Sequence, residues 1–317
     1  MFESEKSAPS ENPAPLKIGR LGDLFLQRGR LSADQVEQIF AQQQQKKMRF
    51  GDAALSLGLL TQTEIDAALG EQFGFGGTEL LTGVADPKLR FFHAPFSREA
   101  EEIRRLRSEL LLKFSASEKI RIALVSAGVG EGKTYMAASL AIALSQLGRR
   151  TLLVDADMRS GNLHELFALP TPDGLSSVLA GRIPLSAALI PLLPNLQFLP
   201  AGPRVPNPLE ILRVPRIGEL LLGCHEQFDA VIFDSHSAAA ASDAQMLAHQ
   251  VGAVLLVAQK DRSLFSDLRG LKEEMQSAGV AVIGTIYNQH EEVSRVRRWW
   301  NYLPFFRRAA VPVKPHA

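Results

Sequence analysis

The sequence predicts an α/β fold, a mainly parallel sheet flanked by helices and preceded by a small all-α module. Two observations carry this. Aliphatic, β-branched runs at 120–125, 151–154, 228–234, 253–258 and 280–287 have the length of buried strands, and the stretches between them are long enough for crossover helices. Ahead of them, 20–72 contains no such run and instead carries an internal repeat with helix start and stop signals.

Composition sets the bounds. With 317 residues and 46% apolar content, the chain can build one α/β domain and a smaller module. The 35 Lys and Arg balance 34 acidic residues, so nothing points to a nucleic-acid partner, and any membrane contact must be local. The one cysteine, Cys224, has no partner for an intramolecular disulfide; it reads as core filler in a reducing cytoplasm. Residues 1–16 are polar and proline-rich, without the apolar centre of a signal peptide, and are expected to be a disordered tail. The longest clean apolar run, Val251 to Ala258, is too short to cross a bilayer.

In the region 17–75, residues 20–43 match residues 49–72 at a spacing of 29. The identities are Arg20/Arg49, Gly22/Gly51, Asp23/Asp52, Leu26/Leu55, Gly29/Gly58, Leu31/Leu60 and Gln43/Gln72. Each unit reads as a short helix ended by Gly29 or Gly58, then a second helix capped by Ser32 or Thr61. The repeat resembles the N-terminal domain of type II secretion and MshE-type pilus ATPases, whose paired motifs bind cyclic di-GMP. That resemblance implies a ligand site from Arg20, Leu21, Gly22, Gly29 and Gln43, repeated as Arg49, Phe50, Gly51, Gly58 and Gln72. An arginine can stack on guanine while the neighbouring glycine admits the backbone. Phe50 stands where the motif has leucine. The alternative is a docking module with no ligand, its leucines and glycines being core and caps.

Residues 76–95 mix glycine, proline and apolar residues without period and read as a linker that docks on something. A helix over 98–114 follows, with Glu101, Arg104 and Arg107 at i, i+3 spacings.

The strand at 120–125 runs into Gly128, Val129, Gly130, Glu131, Gly132, Lys133 and Thr134. A strand, a glycine-rich turn and Gly-Lys-Thr at a helix start form a P-loop, in which backbone N–H groups wrap a phosphate. Lys133 reaches the terminal phosphates and Thr134 offers a hydroxyl to Mg²⁺. Ala127 occupies the place of the pattern's first glycine. After the second strand comes Asp155-Ala-Asp157-Met-Arg159. Asp155 is placed to hold Mg²⁺, Asp157 to accept a proton from an attacking hydroxyl, and Arg159 to neutralise phosphate charge. The run 228–234 ends in Asp234, a second metal candidate. Asn288, after the last strand, is a candidate for the adenine or a simple turn asparagine.

These motifs resemble the bacterial tyrosine kinase (BY-kinase) family. It places an ExxRxxR helix before the P-loop strand, here Glu101, Arg104 and Arg107, and carries the patterns SAxPGEGK[ST], DADLR and LPAGxxPPNPxELL, here LPAGPRVPNPLEIL at 199–212. GLSSVLAGR at 174–182 is also similar to a family element. The resemblance implies a P-loop NTPase fold, ATP and Mg²⁺ as cofactors, Tyr135 among the nucleotide contacts, Lys133, Asp157 and Arg159 as catalytic residues, and ring-shaped homo-oligomers built through the ExxRxxR helix. With the repeat module in front, the chain is similar to EpsG-type chain-length-determinant kinases of exopolysaccharide systems. That implies a cytoplasmic protein recruited to the inner membrane by a polysaccharide co-polymerase.

Departures bear on the γ-phosphate rather than on binding. Val129 replaces the family's proline, and Ser235-His236-Ser237 follows Asp234 where the family has Thr-Pro-Pro. His236 is expected to be a solvated loop histidine. In place of a C-terminal tyrosine cluster, the chain has Tyr135, Tyr287 and Tyr302 only. Two rivals to a kinase follow: an ATP-dependent assembly switch, and a ParA/MinD-type positioning ATPase, which generally carries a lysine at the place of Gly128. The segment 291–317 holds both tryptophans amid arginines; residues 295–308 suit an anionic membrane surface, or pack across their own domain.

Overall fold

The computed structural model describes residues 21–72, 85–114, 118–170, 173–212, 215–238 and 242–289. The N-terminal tail, Arg20, the first half of the expected linker, Tyr302 and the 291–317 segment lie outside the described residues, as does the Gln72 side chain.

The repeat forms helices α1 (Leu21–Gln27), α2 (Ala33–Lys46), α3 (Phe50–Ser56) and α4 (Gln62–Gln72). Their starts are chemical. Ser32 and Gln35 exchange hydrogen bonds in a capping box, the Gln35 N–H donating to Ser32 Oγ at 3.2 Å. The second unit repeats the device, the Thr61 N–H donating to Glu64 Oε2 at 2.8 Å. Helix α1 packs on α4 and α2 on α3, so each unit closes over the other. Phe25, Leu31, Val36, Ile39, Ala53, Leu60, Ile65 and Ala68 form the core. Arg30 of the first unit ion-pairs with Glu64 of the second.

The second half of the expected linker is built into the α/β domain. Leu89, with Phe91 and Phe92 of the short helix α5 (Arg90–His93), is buried in the same core as β1, and the Asp86 N–H donates to the Leu166 carbonyl at 2.9 Å. Helix α6 (Arg98–Lys113), capped by Ser97, precedes β1 (Ile120–Ser126). Helix α7 (Lys133–Ser145) leads to β2 (Thr151–Asp155). Short helices α8 (Leu163–Leu166), α9 (Leu175–Leu179) and α10 (Leu185–Ala188) lead to β3 (Ile190–Leu193) and β4 (Leu196–Leu199). Then come α11 (Pro208–Leu212), with proline in its first position, α12 (Arg216–Gln227), β5 (Ala230–Asp234), α13 (Asp243–Val251), β6 (Ala253–Gln259), α14 (Phe265–Ser277) and β7 (Ala281–Asn288).

The seven strands lie in the order β3-β4-β2-β5-β1-β6-β7, parallel throughout except for β3 against β4. Strand β1 is an interior strand and alternates: Ile120, Ile122 and Leu124 pack with α7 on one face, Ala123 and Val125 with α13 on the other. Cys224 fills the second layer, its thiol pushed up to about 12 by burial. Parallel strands end at the same edge, so β1, β2 and β5 deliver the P-loop, Asp155 and Asp234 to one place; Asp155 and Asp234 are direct partners across β2 and β5.

Candidate nucleotide site

The P-loop is an arch braced from within. The buried Glu131 carboxylate accepts the Gly128 N–H at 3.0 Å and the Ser263 hydroxyl, so a side chain inside the loop ties it to the turn after β6. Gly132 has φ +95°, and a side chain there would collide with the Asn288 amide, so two constraints require glycine. Lys133 is buried and donates to Ser126 Oγ at 2.7 Å, and Ser126 donates to the Gly128 carbonyl at 2.6 Å. Burial lowers the Lys133 pKa, against the pull of Asp234 and Glu131. No side chain caps α7, whose first-turn N–H groups therefore face the arch ready for an anion.

Across from the loop, Asp155 and Asp234 are fully or almost fully buried. Burial raises Asp234 to about 7, against the Thr134 hydroxyl and Lys133, and burial with the Asp234 charge raises Asp155 well above the carboxylate range. Asp234 Oδ1 is buried without a hydrogen-bond partner, whereas Asp155 accepts the N–H groups of Asp157 at 3.1 Å and Leu163 at 3.2 Å. Two neighbouring carboxylates with an orphaned oxygen, beside a hydroxyl, are hard-oxygen donors lacking positive charge, and they fit Mg²⁺ held jointly with phosphate oxygens.

Asp157 is nearby but engaged. His236 Nδ1 lies 2.9 Å from its Oδ2 and Ser160 Oγ donates to the same oxygen at 2.9 Å. Burial alone would raise its pKa; the His236 and Ser160 hydrogen bonds outweigh it and the net shift is down. The expectation of a solvated His236 is corrected: its side chain is 15% exposed, because Asp157 holds it. Arg159 forms a two-pronged ion pair with the buried Asp243, its Nη2 3.2 Å from Oδ1, so its charge is spent within the chain.

Other expected residues turn elsewhere. The Tyr135 hydroxyl accepts the Phe91 N–H at 3.2 Å and burial pushes its pKa to about 12, so its side chain anchors α5 rather than facing the loop. Asn288 spends its amide donor on the Glu131 carbonyl at 3.1 Å. On α6, Glu101 pairs with Arg104, which also donates to the Pro95 carbonyl at 2.7 Å, while Arg107 donates to the Ala143 carbonyl at 3.0 Å, near the negative end of α7. In the repeat module, a side chain at Gly22 would touch Phe50 and Val36 at 3.4 and 3.5 Å, and one at Gly51 would touch Ile65 at 3.3 Å. Leu21 and Phe50 pack against the module's core, Gly29 and Gly58 end helices at positive φ, Gln43 is half-buried, and Arg49 is exposed at the start of α3. Sequence reasoning missed Asp243, Arg262 and Ser263. Nothing in their local pattern marks them, since their partners lie 84 to 132 residues away.

Comparison with known proteins agrees with this geometry. Residues 122–297 match the family of CobQ/CobB/MinD/ParA nucleotide binding domains. The tyrosine-protein kinase wzc of Salmonella typhi is 32% identical over 195 residues, covering 61% of this chain and 27% of that protein. The chain thus spans about a quarter of the length of the curated relatives it matches first. Among solved structures, the kinase domain of the Escherichia coli tyrosine kinase ETK superposes with a TM-score of 0.59 at 28% identity, covering 70% of this chain and 82% of that one. The chimerical protein CapA2B2 gives 0.62 at 26% identity, covering 68% and 100%. With its seven-stranded P-loop sheet, the chain belongs to the family of CobQ/CobB/MinD/ParA nucleotide-binding domains, in its bacterial tyrosine kinase branch.

Proposed function

We propose that this chain is an ATP-binding tyrosine autokinase that controls exopolysaccharide chain length or export from the cytoplasmic side of the inner membrane, with a polysaccharide co-polymerase as partner. The observation that carries the reading is the buried Lys133 beside the buried Asp234, itself paired across the strands with the buried Asp155, at the uncapped start of α7. Such burial of charge stabilises nothing by itself and belongs to a site that meets opposite charge. With the Gly128 N–H already given to Glu131, the amides from Val129 to Lys133 hold the phosphate chain, and Thr134, Asp155 and Asp234 are the residues that would hold Mg²⁺. When bound, the metal neutralises phosphate charge. Asp157, ionised at neutral pH and oriented by His236 and Ser160, accepts the proton of an attacking hydroxyl. Arg159 acts on phosphate only by exchanging Asp243 for it.

The test is incubation of the full chain with γ-labelled ATP, followed by anti-phosphotyrosine detection and phosphate release. Label on tyrosine, lost in Lys133→Ala, supports the kinase. Free phosphate without protein label leaves the second reading, an assembly switch. That reading is favoured by the tethered Asp157–His236 loop and by the bonded hydroxyl of the half-buried Tyr135. No helix among the described residues is long and apolar enough to cross a membrane. Recruitment through the partner, or through residues 295–308, is part of the proposal. A ring assembled through α6 would use Glu101, the exposed member of its motif; particle size with and without ATP checks it.

The module at 17–75 is proposed to bind cyclic di-GMP. The recurrence of Arg20, Arg49, Gln43 and Gln72 supports this, while the packing duties of Gly22 and Gly51 support a docking module. Calorimetry with cyclic di-GMP decides between them; absence of heat at high micromolar ligand removes the ligand.

A further inference from the structure

The turn that follows β6 reaches back to the P-loop. Gln259 and Ser263 close it with two hydrogen bonds, the Gln259 N–H donating to Ser263 Oγ at 2.8 Å and the Ser263 N–H to the Gln259 carbonyl at 3.0 Å. The Lys260 N–H donates to the Asn288 carbonyl at 3.1 Å, tying the turn to the end of β7. Ser263 then bonds the buried Glu131 inside the P-loop. Within this frame Asp261 has φ +59°, a left-handed conformation uncommon for a residue with a side chain, held by the bonds on either side. The next residue is Arg262.

Its guanidinium packs against the loop at Gly130. A Cβ added to Gly130, itself at φ +75°, would stand 3.0 Å from Nη2 and 3.2 Å from both Cζ and Nη1. Three near-equal distances describe a planar group resting on a residue with no side chain. No carboxylate among the described residues forms an ion pair with Arg262, in contrast to Arg159, which Asp243 neutralises. The loop thus has two cations against it: Lys133 at its helical end, and Arg262 laid against its middle at Gly130.

We infer that Arg262 is a phosphate contact of the nucleotide held in the loop, its planar fork meeting phosphate oxygens as they lie along the Gly128–Gly132 arch. The braced turn from Gln259 to Ser263 pre-positions it, which lowers the ordering cost of the contact. Glu131 and Ser263 are positioning residues that keep the turn and the loop in register. The inference rests on the reading that the loop binds a nucleotide.

Calorimetric titration of the full chain with ADP tests it. Arg262→Ala is expected to weaken ADP about tenfold, and Arg262→Lys to recover part of the loss through charge, where Arg262→Gln recovers none. The dependence of affinity on salt becomes shallower in Arg262→Ala than in the wild type, a change that loss of packing would not produce. Unchanged ADP affinity in Arg262→Ala, or equal recovery by glutamine and lysine, overturns the assignment while leaving the nucleotide site intact. Wild-type protein that binds no ADP overturns both.

Discussion

In the helical module the buried side chains are apolar, from Phe25 to Ala68, whereas the α/β domain encloses Glu131, Lys133, Asp155, Asp234 and Asp243 around three neighbouring strand ends. Both regions contain glycines and charged residues at fixed spacing in the sequence. In the module those glycines resolve into helix ends and a close approach of helices, and its Arg30–Glu64 pair sits on the surface. In the α/β domain the charges are withdrawn from water at a cost that packing alone does not justify. A recurring motif is therefore an ambiguous signal, and the burial of charge separates a motif that organises packing from one that organises chemistry.

The comparison is broken most directly at Lys133. Lys133→Ala is expected to lower ATP affinity by roughly a hundredfold while leaving the module's folding untouched, measured by fluorescent-nucleotide titration beside thermal melting. The converse change is Ile39→Ala, which opens a cavity in the module at a fully buried position. It is expected to cost about 3 kcal/mol of module stability, read by urea denaturation, with ADP affinity kept within about twofold. A large loss of ADP binding there would show that the regions are coupled.

The cost of buried charge is itself measurable. Asp234 moves from an ordinary 3.8 to about 7 on folding, so the folded chain keeps a proton that the unfolded chain has lost. Stability from this group is full below pH 3.8 and falls as pH rises through about 7. Asp234→Asn should therefore raise the stability of nucleotide-free protein by at most about 4 kcal/mol at pH 8, make no difference below pH 3.8, and remove Mg²⁺-dependent ATP binding. Melting curves across pH check the sign. The smallest effects belong to the module's caps: Ser32→Ala and Thr61→Ala are each expected to cost about 1 kcal/mol by urea denaturation, similar in size because the two units use the same device.

The strands at 120–126, 151–155, 230–234, 253–259 and 281–288 were legible because long β-branched runs bounded by glycines, acidic residues and helical stretches have few other solutions. The hairpin of β3 and β4 was not, since four-residue strands interrupted by Pro191 and turned through Asn195 at φ +62° carry little periodicity. The linker was half legible: Leu89, Phe91 and Phe92 look like any apolar cluster until the face of α7 is there to bury them.

The sequence by itself determined the α/β class, the repeated helical module, the P-loop and the acidic strand ends, because each is written in contiguous residues with a fixed local geometry. Only the tertiary structure decided which side chains remain available to a ligand. Arg159 is spent on Asp243 and Tyr135 on Phe91, His236 is held by Asp157, and Arg262 is carried onto Gly130. The strand order places β5 beside β1 and β2, and β6 on β1's other side, so residues far apart in the chain meet at one edge of the sheet. Pairing of charges depends on such meetings, and local sequence does not encode them.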